Sequence, residues 1–297
     1  LRTSVALPGA VESGLRVAAA LVRFWEVRND FLEGYEHLMT LLDKAGVAAG
    51  LRLRARAMAG AGRMAWCQDR DELAHQHYSE AQAMFQSLDL PVDVCMTEVY
   101  LGFIARNQLR RDEARAHFDR AGNLAQRLGL ERAWALVVNG RGTLAGDEGR
   151  LEEARAWKEE ALEFFRRLGD LWVVGLIAGG LGRVCVAQGD RGSARRYLRE
   201  SVTVARELGN KWAVPAVLEI QADLAVLEQQ EERAVRLHGA ASALRDSFAL
   251  SFSTVEREAY DRALAELRRR VPSDRFEAEL AVGRSLSLSA AVQLALQ

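Results

Sequence analysis

Few residues in this 297-residue chain could do chemistry, and their spacing argues against it. His75 and His77 stand two apart, which turns them to different sides of a helix; a chelating pair needs the i, i+4 spacing. His117 shares a repeat phase with His77, yet no cluster of cysteines or carboxylates completes a ligand set, so no metal site is expected. The run Gly140-Arg141-Gly142-Thr143-Leu144-Ala145-Gly146 has the glycine content of a phosphate loop. It lacks the lysine of GxxxxGK[ST] and follows no strand, so it is assigned to packing, as is Gly175 to Gly182. No serine stands in a nucleophile elbow, and Glu159-Glu160 reads as a solvated helix face. No catalytic residue and no cofactor are expected.

Composition narrows the partners. The formal net charge of −1 gives no global field toward nucleic acid or an anionic membrane. Arg268-Arg269-Arg270 falls at a helix C-terminus, where cations complement the dipole, and no aromatic residues interleave, so direct nucleic-acid contact is not expected. No apolar run approaches the roughly 18–20 residues of a membrane span. Cys67, Cys95 and Cys185 form neither a CxxC pair nor a disulfide framework and read as buried thiols of a reducing cytoplasm. The chain begins at Leu1 rather than Met and reads as an excerpt of a longer polypeptide.

What remains is a repeat. Gly62, Gly102, Gly142 and Gly182 stand 40 residues apart, with Ala222 at the next step. Ala74, Ala114, Ala154, Ala194 and Ala234 follow in a second register, with Gly34 one step earlier. Two more run Leu88, Leu128, Leu168, Leu208 and Ala81, Ala121, Ala161, Ser201, Ala241. A period of this length signals a solenoid or similar array. Each unit reads as a helix A, a polar turn such as Gln188-Gly189-Asp190-Arg191, and a helix B closing on Leu128-Gly129, Leu168-Gly169 or Leu208-Gly209. Asp170 and Asn210 suit the N-cap of the next helix A, and Pro91 its first turn. A glycine inside a helix costs about 1 kcal/mol relative to alanine, so four at one phase imply close packing between helices.

These registers resemble the tetratricopeptide pattern. Leu101-Gly102, Ala114, Phe118 and Ala121 carry it best, followed by Leu181-Gly182, Ala194, Leu198 and Ser201, and by Gly62, Ala74, Tyr78 and Ala81. The sequence departs from that pattern in its period, which is usually about 34, in the missing proline after helix B, and in Lys158 at the aromatic position. Helices of about 16–18 residues are expected. The Glu-Ala-Arg helix starts and Leu-Gly-Asp or Leu-Gly-Asn ends, with Arg233 to Ala241, Glu256 to Tyr260 and Gly283 to Leu288, are similar to the sensor segments of bacterial STAND regulators carrying LuxR-type helix-turn-helix domains.

The resemblance implies an all-α, right-handed, tetratricopeptide-like solenoid of about six hairpins over residues 11–249. A linker or tail at 1–10 and a helical cap at 250–297 complete the expected organisation. It also implies that helix A lines a concave groove, with the residue after each repeat glycine facing in: Arg23, Arg63, Phe103, Thr143, Arg183 and Asp223. Neighbouring columns add Trp66, Arg106 and Asn139. Expected partners are a protein, a peptide or a small-molecule inducer in that groove, and nucleotide-binding and DNA-binding modules elsewhere in the polypeptide. A scaffold in another signalling or phage-defence protein is the alternative. An Arg63→Glu change is expected to weaken capture without lowering the melting temperature.

Overall fold

The small-residue columns decide which helix faces can approach. The computed structural model describes residues 10–46, 49–248, 250, 252 and 254–297, which form sixteen α-helices and no strand. Residues 1–9 of the expected tail at 1–10, and residue 249 where the array is expected to give way to the cap, lie outside the described residues, whereas Ala10 opens the first helix.

In chain order the helices are α1 (Ala10–Ala20), α2 (Val22–Arg28), α3 (Phe31–Ala45), α4 (Leu51–Trp66), α5 (Asp71–Ser87), α6 (Pro91–Asn107), α7 (Arg111–Leu128) and α8 (Glu131–Asp147). They continue as α9 (Leu151–Leu168), α10 (Leu171–Ala187), α11 (Arg191–Glu207), α12 (Ala213–Leu227) and α13 (Glu231–Phe248). The last three are α14 (Thr254–Arg270), α15 (Ser273–Arg284) and α16 (Leu288–Leu296). Two compact units divide the chain inside α8, one ending at Gly140 and the other running Arg141–Gln297.

Within each unit the repeat explains the packing. Ala74, Ala114, Ala154, Ala194 and Ala234 are all fully buried. The repeat glycines, however, do not seat the side chains of these alanines, although Gly142 lies against the Ala154 carbonyl oxygen. They seat the larger side chain one turn beyond: a Cβ on Gly62 would come within 2.9 Å of the Tyr78 ring, and one on Gly182 within 2.4 Å of Leu198. A helical side chain leans toward the N-terminus of its helix, so the residue four past the alanine reaches back over the crossing. Phe118 is held from both sides, by Gly102 of α6 and Gly140 of α8. Burying such a side chain contributes roughly 1.5–3 kcal/mol. The leucine column is different. Leu88, Leu128 and Leu168 are exposed at the last turns of their helices, outside the core.

Local signals fix the turns. Gly129, Gly169 and Gly209 adopt φ of 65°, 71° and 62°, the left-handed conformation that stops a helix. The Asp170 carboxylate accepts from the Val173 N–H at 3.3 Å, and Asn210 Oδ1 accepts from the Ala213 N–H at 3.2 Å. Asp190 does the same for Ser193 at 3.0 Å.

The second unit ends differently from the repeats before it. Helix α15 crosses α13 backbone to backbone: a Cβ on Gly283 would lie 2.1 Å from the Arg236 carbonyl oxygen, and one on Gly239 would lie 2.5 Å from that of Leu280. Helix α16 packs against α11, α12 and α13.

Candidate partner-binding faces

In the first unit Arg23, Arg63, Trp66 and Phe103, expected to face a partner, form one cluster of charge and aromatic rings. Arg63 on α4 is buried and makes an ion pair with Glu26 of α2, itself only 4% exposed. Arg23 bonds the other Glu26 oxygen at 2.5 Å. The Arg63 guanidinium lies 4.5 Å from the ring centres of both Trp66 and Tyr100. Trp66 in turn contacts Phe103 at 6.1 Å, and Phe103 meets Phe118 edge-on at 5.1 Å. Burial works against the Arg63 charge, but the Glu26 carboxylate holds its pKa well above the ordinary value. Burial also pushes the Cys67 thiol up to about 12, against the pull of Arg63.

Arg63 is therefore part of the fold, and the expectation that Arg63→Glu would leave stability untouched is corrected. A second carboxylate there would face Glu26 in a desolvated site. The more accessible members of this face are Arg23, Trp66, Phe103, Arg106 and Asn139, all partly exposed. Behind it, Glu98 of α6 is buried and bonds His117 Nδ1 at 2.6 Å, and Arg120 Nε donates to it at 3.0 Å. Burial alone would raise the Glu98 pKa; these bonds bring it below the ordinary value. His77 Nε2 instead pairs with the Tyr35 hydroxyl at 3.1 Å. Among the described residues no group of three or more His, Cys, Asp or Glu could hold a metal ion. No helix among them is long and apolar enough to cross a membrane.

In the second unit the same columns carry Thr143, Arg183 and Asp223. Thr143 Oγ1 accepts from the Nζ of buried Lys158 at 2.8 Å, which explains how a lysine occupies the aromatic position: its stem packs on Gly142 and Gly180, and its head is bonded. Arg183 is exposed. Asp223 lies beside a small cavity whose wall also includes Glu219, Ile220, His238, Ala259, Tyr260 and Ala263. Burial pushes the Asp223 carboxyl up to about 6, with Arg183 pulling the other way. His238 is buried and its pKa is lowered by burial to about 4. Glu219 is paired with Arg245 at 2.8 Å.

The column reading found Arg183 and Asp223. It missed His238 on a helix B and Tyr260 on α14. A titratable residue inside the otherwise apolar run Leu237 to Ala241 was the available signal.

Stacked antiparallel hairpins with a fully buried alanine column and glycine seats define a tetratricopeptide-type helical repeat. The tetratricopeptide-repeat family model matches residues 131–207, which is α8 through α11. No curated protein matches. Among solved structures the chain is similar to a Rap protein complexed with competence and sporulation factor, with a TM-score of 0.64 and 14% identity, covering 94% of this chain and 78% of that one. It is also similar to the Rap conjugation gene regulator of the plasmid pLS20 in complex with the Phr* peptide, with a TM-score of 0.61, 15% identity, and 91% and 76% covered. The apo form of RapI gives a TM-score of 0.54 at 12% identity, covering 86% of this chain and 98% of that one. At such identities the likeness is one of fold.

Proposed function

We propose that this chain is a non-catalytic binding domain that captures a peptide or protein segment on the helix-A faces of its repeats. Its place is the sensor segment of a bacterial STAND or LuxR-type transcriptional regulator in the cytoplasm. Nucleotide-binding and DNA-binding modules elsewhere in the polypeptide would act on what it senses. The observation that carries the reading is the make-up of the helix-A columns. Partly exposed Trp66, Phe103 and Arg106 of the first unit, and Arg183 and Asp223 of the second, combine apolar anchors with a few charges, as peptide-recognising surfaces do. Two Rap proteins of the same fold were solved with peptide or factor bound, which supports the same use here.

The test is capture from cell extract by the intact chain, beside Arg106→Glu and Arg183→Glu. Both side chains lie outside the core, so melting should stay within about a degree or two while retention of the partner falls. Retention equal to the parent by both variants would overturn the assignment of these faces.

A further inference from the structure

Among the described residues of the second unit, His238 is a buried side chain with both a donor and an acceptor to offer and no hydrogen bond to either. Both nitrogens of His238 are without a hydrogen-bond partner among the described residues, although the residue is only 2% exposed. A buried donor or acceptor left unmet costs about 1–3 kcal/mol, so native chains rarely keep one without a use. His238 is not lost in a dry core. It lines a cavity of about 40 Å³ together with Asp223, which also has no hydrogen bond among the described residues, and Arg183, whose exposed side chain marks the open side. The other polar groups of the wall are engaged: Glu219 with Arg245, and the Tyr260 hydroxyl with Ser242.

The size and chemistry of this space restrict what fits. A water needs roughly 10–15 Å³ of such volume, so the cavity accepts about three non-hydrogen atoms, the head of one side chain. A neutral imidazole presents one N–H donor and one acceptor, and the Asp223 carboxyl asks chiefly for a donor. An ammonium group has donors but no acceptor for the imidazole N–H, and it would enter past Arg183. A carboxylate would suit Arg183 but would face Asp223 and Glu219. A primary carboxamide has two N–H donors and a carbonyl acceptor, and it carries no charge.

We propose that the Arg183–Asp223–His238 cavity is a specificity subsite that takes the carboxamide head of an Asn or Gln side chain from a bound peptide. One amide N–H donates to the Asp223 carboxyl, and the amide oxygen accepts from the imidazole N–H, so a single neutral head meets a donor and an acceptor on opposite walls. The subsite rests on the peptide-binding reading above and names one side chain that the peptide must supply.

The test uses the full chain and a positional-scanning library of decapeptides blocked as N-acetyl and N-methylamide, so that chain ends bring neither charge nor a primary amide. Selection by the parent protein should enrich Asn or Gln at one position about tenfold over Leu, the worth of roughly one well-made hydrogen bond. His238→Phe should reduce that enrichment to background while other positions keep their preferences. Asp223→Leu reads the same loss from the opposite wall should the first variant not fold. Enrichment of Lys, Arg, Asp or Glu instead, or an Asn/Gln preference unchanged in both variants, overturns the subsite. Peptides retained with no preference at any position mean that water alone fills the cavity, and this too overturns it while leaving peptide capture standing. Retention of no peptide at all overturns both.

Discussion

Arg63 and Arg183 occupy the same repeat register, three steps of the 40-residue period apart, and the two units use them in opposite ways. In the first unit α2 brings Glu26 and α6 brings Tyr100 against Arg63, so its charge is spent inside the fold. In the second unit Arg183 stays exposed, and both nitrogens of His238, on the same cavity wall, are left unbonded. A register therefore fixes where a side chain points but not what it does. The neighbours decide, and the period does not name them.

The sharpest way to break this contrast is truncation of each arginine. Arg63→Ala leaves Glu26 buried with only Arg23 beside it and should cost about 3 kcal/mol in urea unfolding, whereas Arg183→Ala should change stability by less than about 0.5 kcal/mol. Equal effects would dissolve the distinction between the units.

A smaller effect of opposite sign separates two of the buried histidines, His117 and His238. His117→Phe strips Glu98 of a buried partner and should lose about 2 kcal/mol, while His238→Phe removes unmet polar atoms and should gain about 1 kcal/mol. Both are read from denaturant midpoints at constant slope. A destabilised His238→Phe with a normal slope would show that the imidazole is used within the fold.

The smallest effect is one of pH. The Asp223 carboxyl titrates near 6 in the folded chain against an ordinary 3.8, so the folded state holds the extra proton and this group's contribution declines as pH rises through 6. His238 titrates near 4 against 6.5, so the unfolded state holds the extra proton and stability is lost as pH falls from 6.5 to 4. The two slopes oppose each other between about pH 4 and 6. Asp223→Asn should uncover the histidine slope, so that stability of the variant climbs with pH more steeply than that of the parent over this window. Parallel curves would mean that Asp223 is well solvated.

The hairpin architecture was readable because small residues recur at a fixed interval and only one kind of packing needs that. Which side chain fills each glycine seat was not legible, since spacing along a chain does not show which way side chains lean; Tyr78, Phe118 and Leu198 fill the seats beside the alanines. The fate of Arg63 was hidden for another reason. Glu26 lies 37 residues away, on the short helix α2, and nothing in the spacing announces an ion pair at that distance. His238 escaped because it belongs to a helix B, where the columns describe core, and because the wall opposite it comes from α14, which no repeat predicts.

The contact of Gly239 with Gly283 has a bearing on how this domain can vary. A methyl group added at Gly182 meets a leucine tip, and a smaller neighbour at 198 could make room for it. A methyl group at Gly283 meets a carbonyl oxygen of the main chain, which no exchange of side chains can retract. The join between α13 and α15 is thus closed to gradual revision: sequence drift can reshape side-chain seats such as those of Gly62, Gly102 and Gly182, but at this weld it has no compensating move.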